Sequence, residues 1–315
     1  MARPRSDPNF LAGPYIDRAV DQRKDPAQLR AALEDPATLL VPVWRTHSLV
    51  AVSADTVSAR FVPAAALGER PDPQELIVLG RFRRRLCLAV ELHTPAPPPF
   101  EAGEFRDLRA IAGELPAEEA GVLAYARAMV LWRSRHRFCG RCGAPTVARE
   151  GGHLLVCSDP GCQGQHYPRI DPAVIVLVTD GERVLLGRQA SWPPGRYSTI
   201  AGFVEPGESL EDAVAREVRE ETAVEIDAVE YHSSQPWPFP SSLMLGFMAH
   251  ASRTEIRRTD QELEDARWFT RAELASGAVG LPGMHSISFR LIEDWYDSAA
   301  SVPLRHEPRV RVWKR

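Results

Sequence analysis

Apolar and polar positions alternate over short stretches in the first third of the chain. Segments 47–52, 58–62, 75–79 and 85–92 read as strands, parted by charged or proline-bearing turns. This predicts a β-rich first lobe. Pro95, Pro97, Pro98 and Pro99 then break regular structure, and a helical period follows over 117–135. Farther on, the apolar run 173–178 and segment 183–186 flank Thr179-Asp180-Gly181-Glu182. The Asp-Gly pair there is expected to supply the positive φ angles of a tight hairpin. A strand over 198–203, a helix over 209–222, strands over 228–231 and 243–250 and a last helix over 284–296 complete the pattern. Interleaved strands and helices predict an α/β (α+β) sandwich with a mixed sheet.

The chain has 315 residues, 44% of them hydrophobic, enough for more than one core. Its formal net charge of −4 supplies no protein-wide positive field for nucleic acid. No apolar run approaches the length of a membrane span, and MARPRSDPNF lacks the apolar core of a signal peptide. The C-terminal Val312-Trp313-Lys314-Arg315 carries no lipidation signal, so a cytoplasmic protein with no membrane partner is expected.

Four of the five cysteines fall between Cys139 and Cys162, which in a reducing compartment points to metal. Cys139 and Cys142 form one C-x2-C knuckle; Cys157 and Cys162 form a C-x4-C pair. Four thiolates close a tetrahedral zinc site and leave no position for water, so this Zn²⁺ is expected to be structural. Arg133, Arg135, Arg137 and Arg141 nearby also admit a nucleic-acid-binding ribbon, although arginine clusters are more often solvated faces. Cys87 lies in an apolar strand pattern and reads as a small buried hydrophobe.

The segment GFVEPGESLEDAVAREVREETAV opens with Ser209 as a helix cap and Asp212 completing a capping-box-like start. Leu210, Ala213, Val214 and Val218 make an apolar stripe. Glu217 and Glu221 share one face, with Glu220 three from Glu217. Carboxylates crowded in this way repel unless cations lie between them, and hard oxygen ligands suit Mg²⁺ or Mn²⁺. The segment resembles the Nudix box, G-x5-E-x7-R-E-U-x-E-E-x-G-U, at Gly202, Glu208, Arg216, Glu217, Val218, Glu220, Glu221 and Val224. It departs once, with Ala223 in place of the last glycine; an alanine takes that left-handed turn at a cost on the order of 1 kcal/mol, or the helix runs on. The resemblance implies a Nudix α/β/α sandwich with Glu217 and Glu221 as ligands of catalytic Mg²⁺ or Mn²⁺, Glu220 assisting and the Ala201 carbonyl as a backbone ligand. It also implies that Arg216 orients the glutamates, that Glu208 pairs with Arg216, and that Glu221 or Glu262 is the general base.

Downstream, Ser234-Gln235-Pro236-Trp237-Pro238-Phe239-Pro240-Ser241-Ser242 alternates proline with aromatics. Proline removes amide donors and fixes φ, which predicts a stiff irregular loop that displays Trp237 and Phe239 for stacking on a base. In this position SQPWPFPxS resembles the signature of the NADH pyrophosphatase family of Nudix hydrolases, as does the cysteine module ahead of the box. That resemblance implies a zinc ribbon and a diverged Nudix-like first lobe, with expected domains 1–130 (first lobe), 131–168 (ribbon), 169–300 (catalytic) and 301–315 (tail). It further implies substrate contacts at Gln235, Pro236, Trp237, Pro238, Phe239, Pro240, Ser241 and Ser242, with Tyr167, Ser288 and Arg109 as additional candidates and Glu262 as a later metal ligand. The implied activity is hydrolysis of the NADH or NAD diphosphate to nicotinamide mononucleotide and AMP, with NAD-cap removal from RNA as a related reaction, in a homodimer. Two other readings stay open: a Nudix hydrolase of another nucleoside diphosphate derivative such as ADP-ribose, and a nucleic-acid-binding zinc-ribbon protein whose Nudix domain is inactive.

Overall fold

The computed structural model describes residues 9–54, 56–101, 103–257 and 262–313; Gln261, Lys314 and Arg315 are among those outside it. The chain divides into two units, one of residues 13–170 with 238–241, the other of 1–12, 171–237 and 242–315.

In the first unit the described strands are β1 (Ile16–Asp17), β2 (Leu39–Trp44), β3 (His47–Val52), β4 (Val57–Ala59), β5 (Leu76–Phe82), β6 (Arg85–Leu92) and β7 (Glu104–Asp107). They form one sheet ordered β1-β5-β6-β2-β3-β4, with β7 also on β3. Strand β2 is parallel to β6 and is absent from the sequence-based expectation, because Pro42 interrupts its apolar run. The structure tolerates Pro42 in mid-sheet because β2 pairs with β3 only at Val43 and Trp44, beyond the missing amide. Helices α1 (Pro26–Glu34), α2 (Leu108–Ile111) and α3 (Ala117–Arg135) follow in chain order; α3 buries Val122, Leu123, Ala126 and Val130. A second sheet, β8 (Thr146–Arg149), β9 (Leu154–Cys157) and β10 (Gln165–His166), carries the cysteines. Its β8–β9 turn is anchored to β5 by His153, whose Nε2 lies 2.7 Å from the Val78 carbonyl.

The second unit is built on β11 (Asp171–Thr179), β12 (Arg183–Arg188), β13 (Ile200–Phe203), β14 (Glu225–Trp237), β15 (Ser242–Arg253) and β16 (Asp265–Thr270), ordered β14-β15-β11-β12-β16 with β13 also on β11. The β11–β15 pair is parallel and the others antiparallel, so the sheet is mixed. Helices α4 (Leu210–Thr222), α5 (Arg271–Ser276) and α6 (Ile287–Asp297) complete it. Alternation along β11 sorts its side chains: Val174, Val176 and Val178 join Ala213, Val214 and Val218 of α4. Ile175 and Leu177 join Leu291, Ile292 and Trp295 of α6. A strand covered on both faces reads as a continuous apolar run, and the result is an α/β/α sandwich with a mixed sheet.

Three local expectations change. In the β11–β12 turn Gly181 alone takes positive φ (100°), because Asp180 instead uses its carboxylate to accept from the Glu182 and Arg183 amides, at 3.1 and 2.7 Å. Ser234 to Trp237 belong to β14, not to an irregular loop, since β14 lies at the sheet edge, where a proline leaves no ladder bond unmade. Only 238–241 turn. The last segment is no separate tail either: β18 (Arg311–Val312) runs parallel to β17 (Gly280–Leu281), and the Trp313 indole donates to the Gly280 carbonyl at 2.8 Å.

Candidate functional site

Helix α4 is fixed at both ends by local chemistry. Ser209 Oγ accepts from the Asp212 amide at 3.1 Å, and Asp212 Oδ2 accepts from the Ser209 amide at 3.4 Å, a full capping box. At the other end Ala223 adopts the left-handed conformation, φ 57° and ψ 10°, and its amide closes on the Arg219 carbonyl at 2.8 Å. The helix therefore stops where the box glycine would stop it, and the alanine carries the strain.

Arg216 is the hub of the acidic face. Its Nε and Nη2 meet the two oxygens of Glu208 at 2.6 and 3.1 Å, a bidentate pair. Nη1 reaches Glu217 Oε1 at 2.9 Å and Glu220 Oε2 at 3.0 Å, and Nη2 also donates to the Phe203 carbonyl at 2.9 Å. Arg216 thus ties the loop before the helix, the end of β13 and two glutamates into one arrangement. The guanidinium holds the Glu208 carboxyl below its ordinary range. Glu217 is pushed the other way, up, chiefly by burial and further by the negative charges of Glu220 and Glu262. Glu217 and Glu221 are buried, at 8% and 4% exposure, whereas Glu220 and Glu262 are exposed. Ala201 lies on β13, paired with Ile175 of β11.

These are hard oxygen donors whose mutual repulsion a divalent cation relieves, which is the chemistry expected of Mg²⁺ or Mn²⁺ ligands. Among the described residues only the cysteines already converge on a common point.

There the fit to zinc is geometric. The sulfurs of Cys139, Cys142, Cys157 and Cys162 all lie within 4.8 Å of one another, with Cys139–Cys162 at 3.8 Å and Cys142–Cys157 at 3.4 Å. A tetrahedron with arms of about 2.3 Å has edges of about 3.8 Å. Amide hydrogen bonds, first from Arg141 and then from Cys142, draw the Cys139 thiol down to about 6, so it is a thiolate at neutral pH. His166 Nε2 lies 3.3 Å from Cys139 Sγ, beside the thiolate set and not part of it. Arg133 is not a docking cation: it donates to the Gln74, Glu75 and Leu76 carbonyls at 2.9 to 3.2 Å. Cys87 is fully buried, and burial pushes its thiol up to about 12.

The proline-aromatic segment is closed by the Trp237–Ser242 pair, with Pro236 opposite Leu243. Pro238, Phe239, Pro240 and Ser241 group with residues 13–170. There Arg127 of α3 donates to the Pro238 carbonyl, and its guanidinium lies 4.9 Å from the Phe239 ring centroid. Gln235 is 1% exposed and its amide meets protein groups only, Phe10 and His285 carbonyls and the Ile287 amide. Ser288, 4% exposed, is turned inward onto Ser198, Thr199 Oγ1 and the Thr199 amide at 2.9, 2.8 and 3.3 Å. Tyr167 is 63% exposed, its hydroxyl donating to Gln165 Oε1 at 2.8 Å, and Arg109 is exposed on α2. Sequence reading missed Arg127 and the N-terminal Asn9 and Phe10. The signal for Arg127 is a lone cation inside a helix that is apolar on most sides; Asn9 offers none.

Three family profiles match the chain: a NUDIX domain at 169–293, an NADH pyrophosphatase-like rudimentary NUDIX domain at 37–132, and an NADH pyrophosphatase zinc ribbon domain at 134–167. Over 215 residues, 68% of this chain and 75% of the other, it is 46% identical to the NAD-capped RNA hydrolase NudC of Stutzerimonas stutzeri. It is 48% identical over 234 residues to the NAD-capped RNA hydrolase NUDT12 of Macaca fascicularis, covering 70% of this chain and 48% of that longer protein.

Proposed function

The chain belongs to the NADH pyrophosphatase family of Nudix hydrolases, and from that membership we propose that it hydrolyses the diphosphate of NADH and NAD, free and as the 5′ cap of RNA. Water adds to one phosphorus, the P–O–P bridge breaks, and AMP leaves with nicotinamide mononucleotide, in its reduced form from NADH and its oxidised form from NAD, the AMP remaining as the RNA 5′ end when the substrate is a cap. The observation that carries the reading is the Arg216 hub, which gathers Glu208, Glu217 and Glu220 around one guanidinium. An inactive relative has no need of carboxylates crowded in this way, with Glu217 and Glu221 buried.

Glu217, Glu221, Glu262 and the Ala201 carbonyl would hold Mg²⁺ or Mn²⁺, with Glu220 assisting. Bound there, the cations would supply positive charge to offset the diphosphate and to lower the pKa of water. Arg216 keeps the glutamate oxygens in place before substrate arrives, so little reorganisation is left for the reaction. Glu221 or Glu262 takes the proton from water. Trp237 and Phe239 stack on a ring of the dinucleotide, Pro236, Pro238 and Pro240 stiffen their presentation, and Ser241, Ser242, Tyr167 and Arg109 supply polar contacts. Gln235 and Ser288 act from inside the fold, by holding backbone in place.

We assign Zn²⁺ a structural role and place the boundaries near 130/131 and 168/169, with 301–315 counted in the catalytic domain. A homodimer is proposed as well; the exposed Phe138, Tyr167 and Ile170 support a self-association surface. A cytoplasmic location accords with thiols kept reduced for zinc. No helix among the described residues is long and apolar enough to cross a membrane.

The test incubates the protein with NADH, NAD, ADP-ribose and NAD-capped RNA, each with Mg²⁺ or Mn²⁺, and separates the products. Mononucleotide release from NADH, NAD or the cap supports the proposal, and cleavage of ADP-ribose alone overturns the substrate assignment.

A further inference from the structure

We propose that the N-terminal segment at Asn9 and Phe10 is a positioning element for the substrate-binding strand β14, bracing it together with α6. The inference rests on the NAD(H) reading, which makes Ser234 to Trp237 the approach to the substrate.

Strand β14 lies at the sheet edge, and its register to β15 shifts between Tyr231 and Ser233, just before the Ser233–Trp237 stretch. The N-terminal segment adds a second set of bonds to that stretch. Asn9 is buried, at 3% exposure; its Nδ2 donates to Ser233 Oγ at 3.0 Å and to the Ser234 carbonyl at 2.7 Å. Its Oδ1 accepts from Arg290 Nη1 of α6 at 2.8 Å, so the side chain bridges β14 and α6. One residue on, the Phe10 carbonyl accepts from Gln235 Nε2 at 2.9 Å. The same Gln235 amide group donates to the His285 carbonyl at 2.8 Å, and its Oε1 accepts from the Ile287 amide at 2.9 Å. The Phe10 ring packs 4.9 Å from the His285 ring.

Three segments far apart in sequence therefore meet on Gln235 and Ser233. Behind them His232 lies between Ser233 Oγ at 2.8 Å and Asp294 at 2.6 Å, which ties the same stretch to α6 again. A buried polar network in which each member is satisfied specifies one geometry, and truncating one member leaves the others unpaired. Asn9 and Phe10 lie outside the ranges of all three matched profiles, so the catalytic sandwich those profiles delimit does not include the brace.

Asn9 acts through β14 and not on the reacting atoms, so its loss is expected to weaken substrate binding and to spare turnover. In Asn9→Ala, removing hydrogen bonds to two β14 groups should raise KM for NADH about tenfold while kcat stays within about twofold. Leu88→Ala, a truncation in the core of the other unit, should lower the melting temperature at least as much and leave KM unchanged. Hydrogen exchange at residues 233–237 reads the brace without any activity, and these amides should exchange faster in Asn9→Ala than in the wild type. Unchanged exchange there, an unchanged KM, or an equal KM rise in Leu88→Ala overturns the proposal. If the wild type hydrolyses no dinucleotide while exchange still responds to Asn9→Ala, the functional reading fails and the brace stands as a structural one.

Discussion

The carboxylate of Glu217 occupies the space above Gly202: a Cβ added at residue 202 would stand 1.9 Å from Glu217 Cδ and 1.9 Å from its Oε1. Gly202 is therefore required for room and not for a left-handed backbone. Gly202→Ala must displace Glu217 or the β13 strand. A shift of about 1 Å in this proposed metal ligand is expected to lower kcat about 100-fold, and steady-state kinetics with a melting curve will show activity lost from a folded protein.

Ala223 holds a left-handed φ of 57° at the end of α4. Ala223→Gly removes that strain and should stabilise the protein by about 1 kcal/mol, raising the melting temperature by roughly 2–4 °C. Because Ala223 contributes only its backbone to the cap, kcat/KM for NADH should stay unchanged.

His153 ties the ribbon turn to β5, and burial lowers its pKa from 6.5 to about 4. It is neutral when folded, and the unfolded chain takes up the proton first as pH falls. Stability from this residue is thus complete above about 6.5 and is lost as pH drops toward about 4. Urea midpoints measured across that window should fall in the wild type, and His153→Phe should flatten that part of the curve while lowering stability at neutral pH.

The cysteine geometry predicts one zinc per chain. Cys157→Ala should abolish zinc retention in metal analysis and destabilise the unit of residues 13–170 by several kcal/mol, as expected where metal binding is coupled to folding. Retention of a full equivalent of zinc by that variant contradicts a four-sulfur site.

Where function is written in local spacing, the sequence is legible. The cysteine pairs and the Glu217/Glu221 face each follow from a few residues, and the unbroken apolar run 173–178 fits a strand buried on both sides. Legibility fails where the deciding partner is remote. Strand β2 is legible only once its parallel pairing with the distant β6 is seen, and the Ser234–Trp237 stretch reads as loop until it is seen at a sheet edge. Gly202 is legible only as a motif position, since its physical reason is a carboxylate fifteen positions on. Asn9 carries no signal at all, because Ser233, Ser234 and Arg290 lie more than two hundred residues away.

The most direct test of the account is product analysis of NADH incubated with wild type and Glu217→Gln in Mg²⁺ and in Mn²⁺, with zinc content and melting temperature measured on both. The account predicts reduced nicotinamide mononucleotide and AMP from the wild type, and a rate at least about 100-fold lower in a folded, zinc-loaded variant. Mononucleotide release by Glu217→Gln at the wild-type rate, or none from the wild type with either metal, contradicts it.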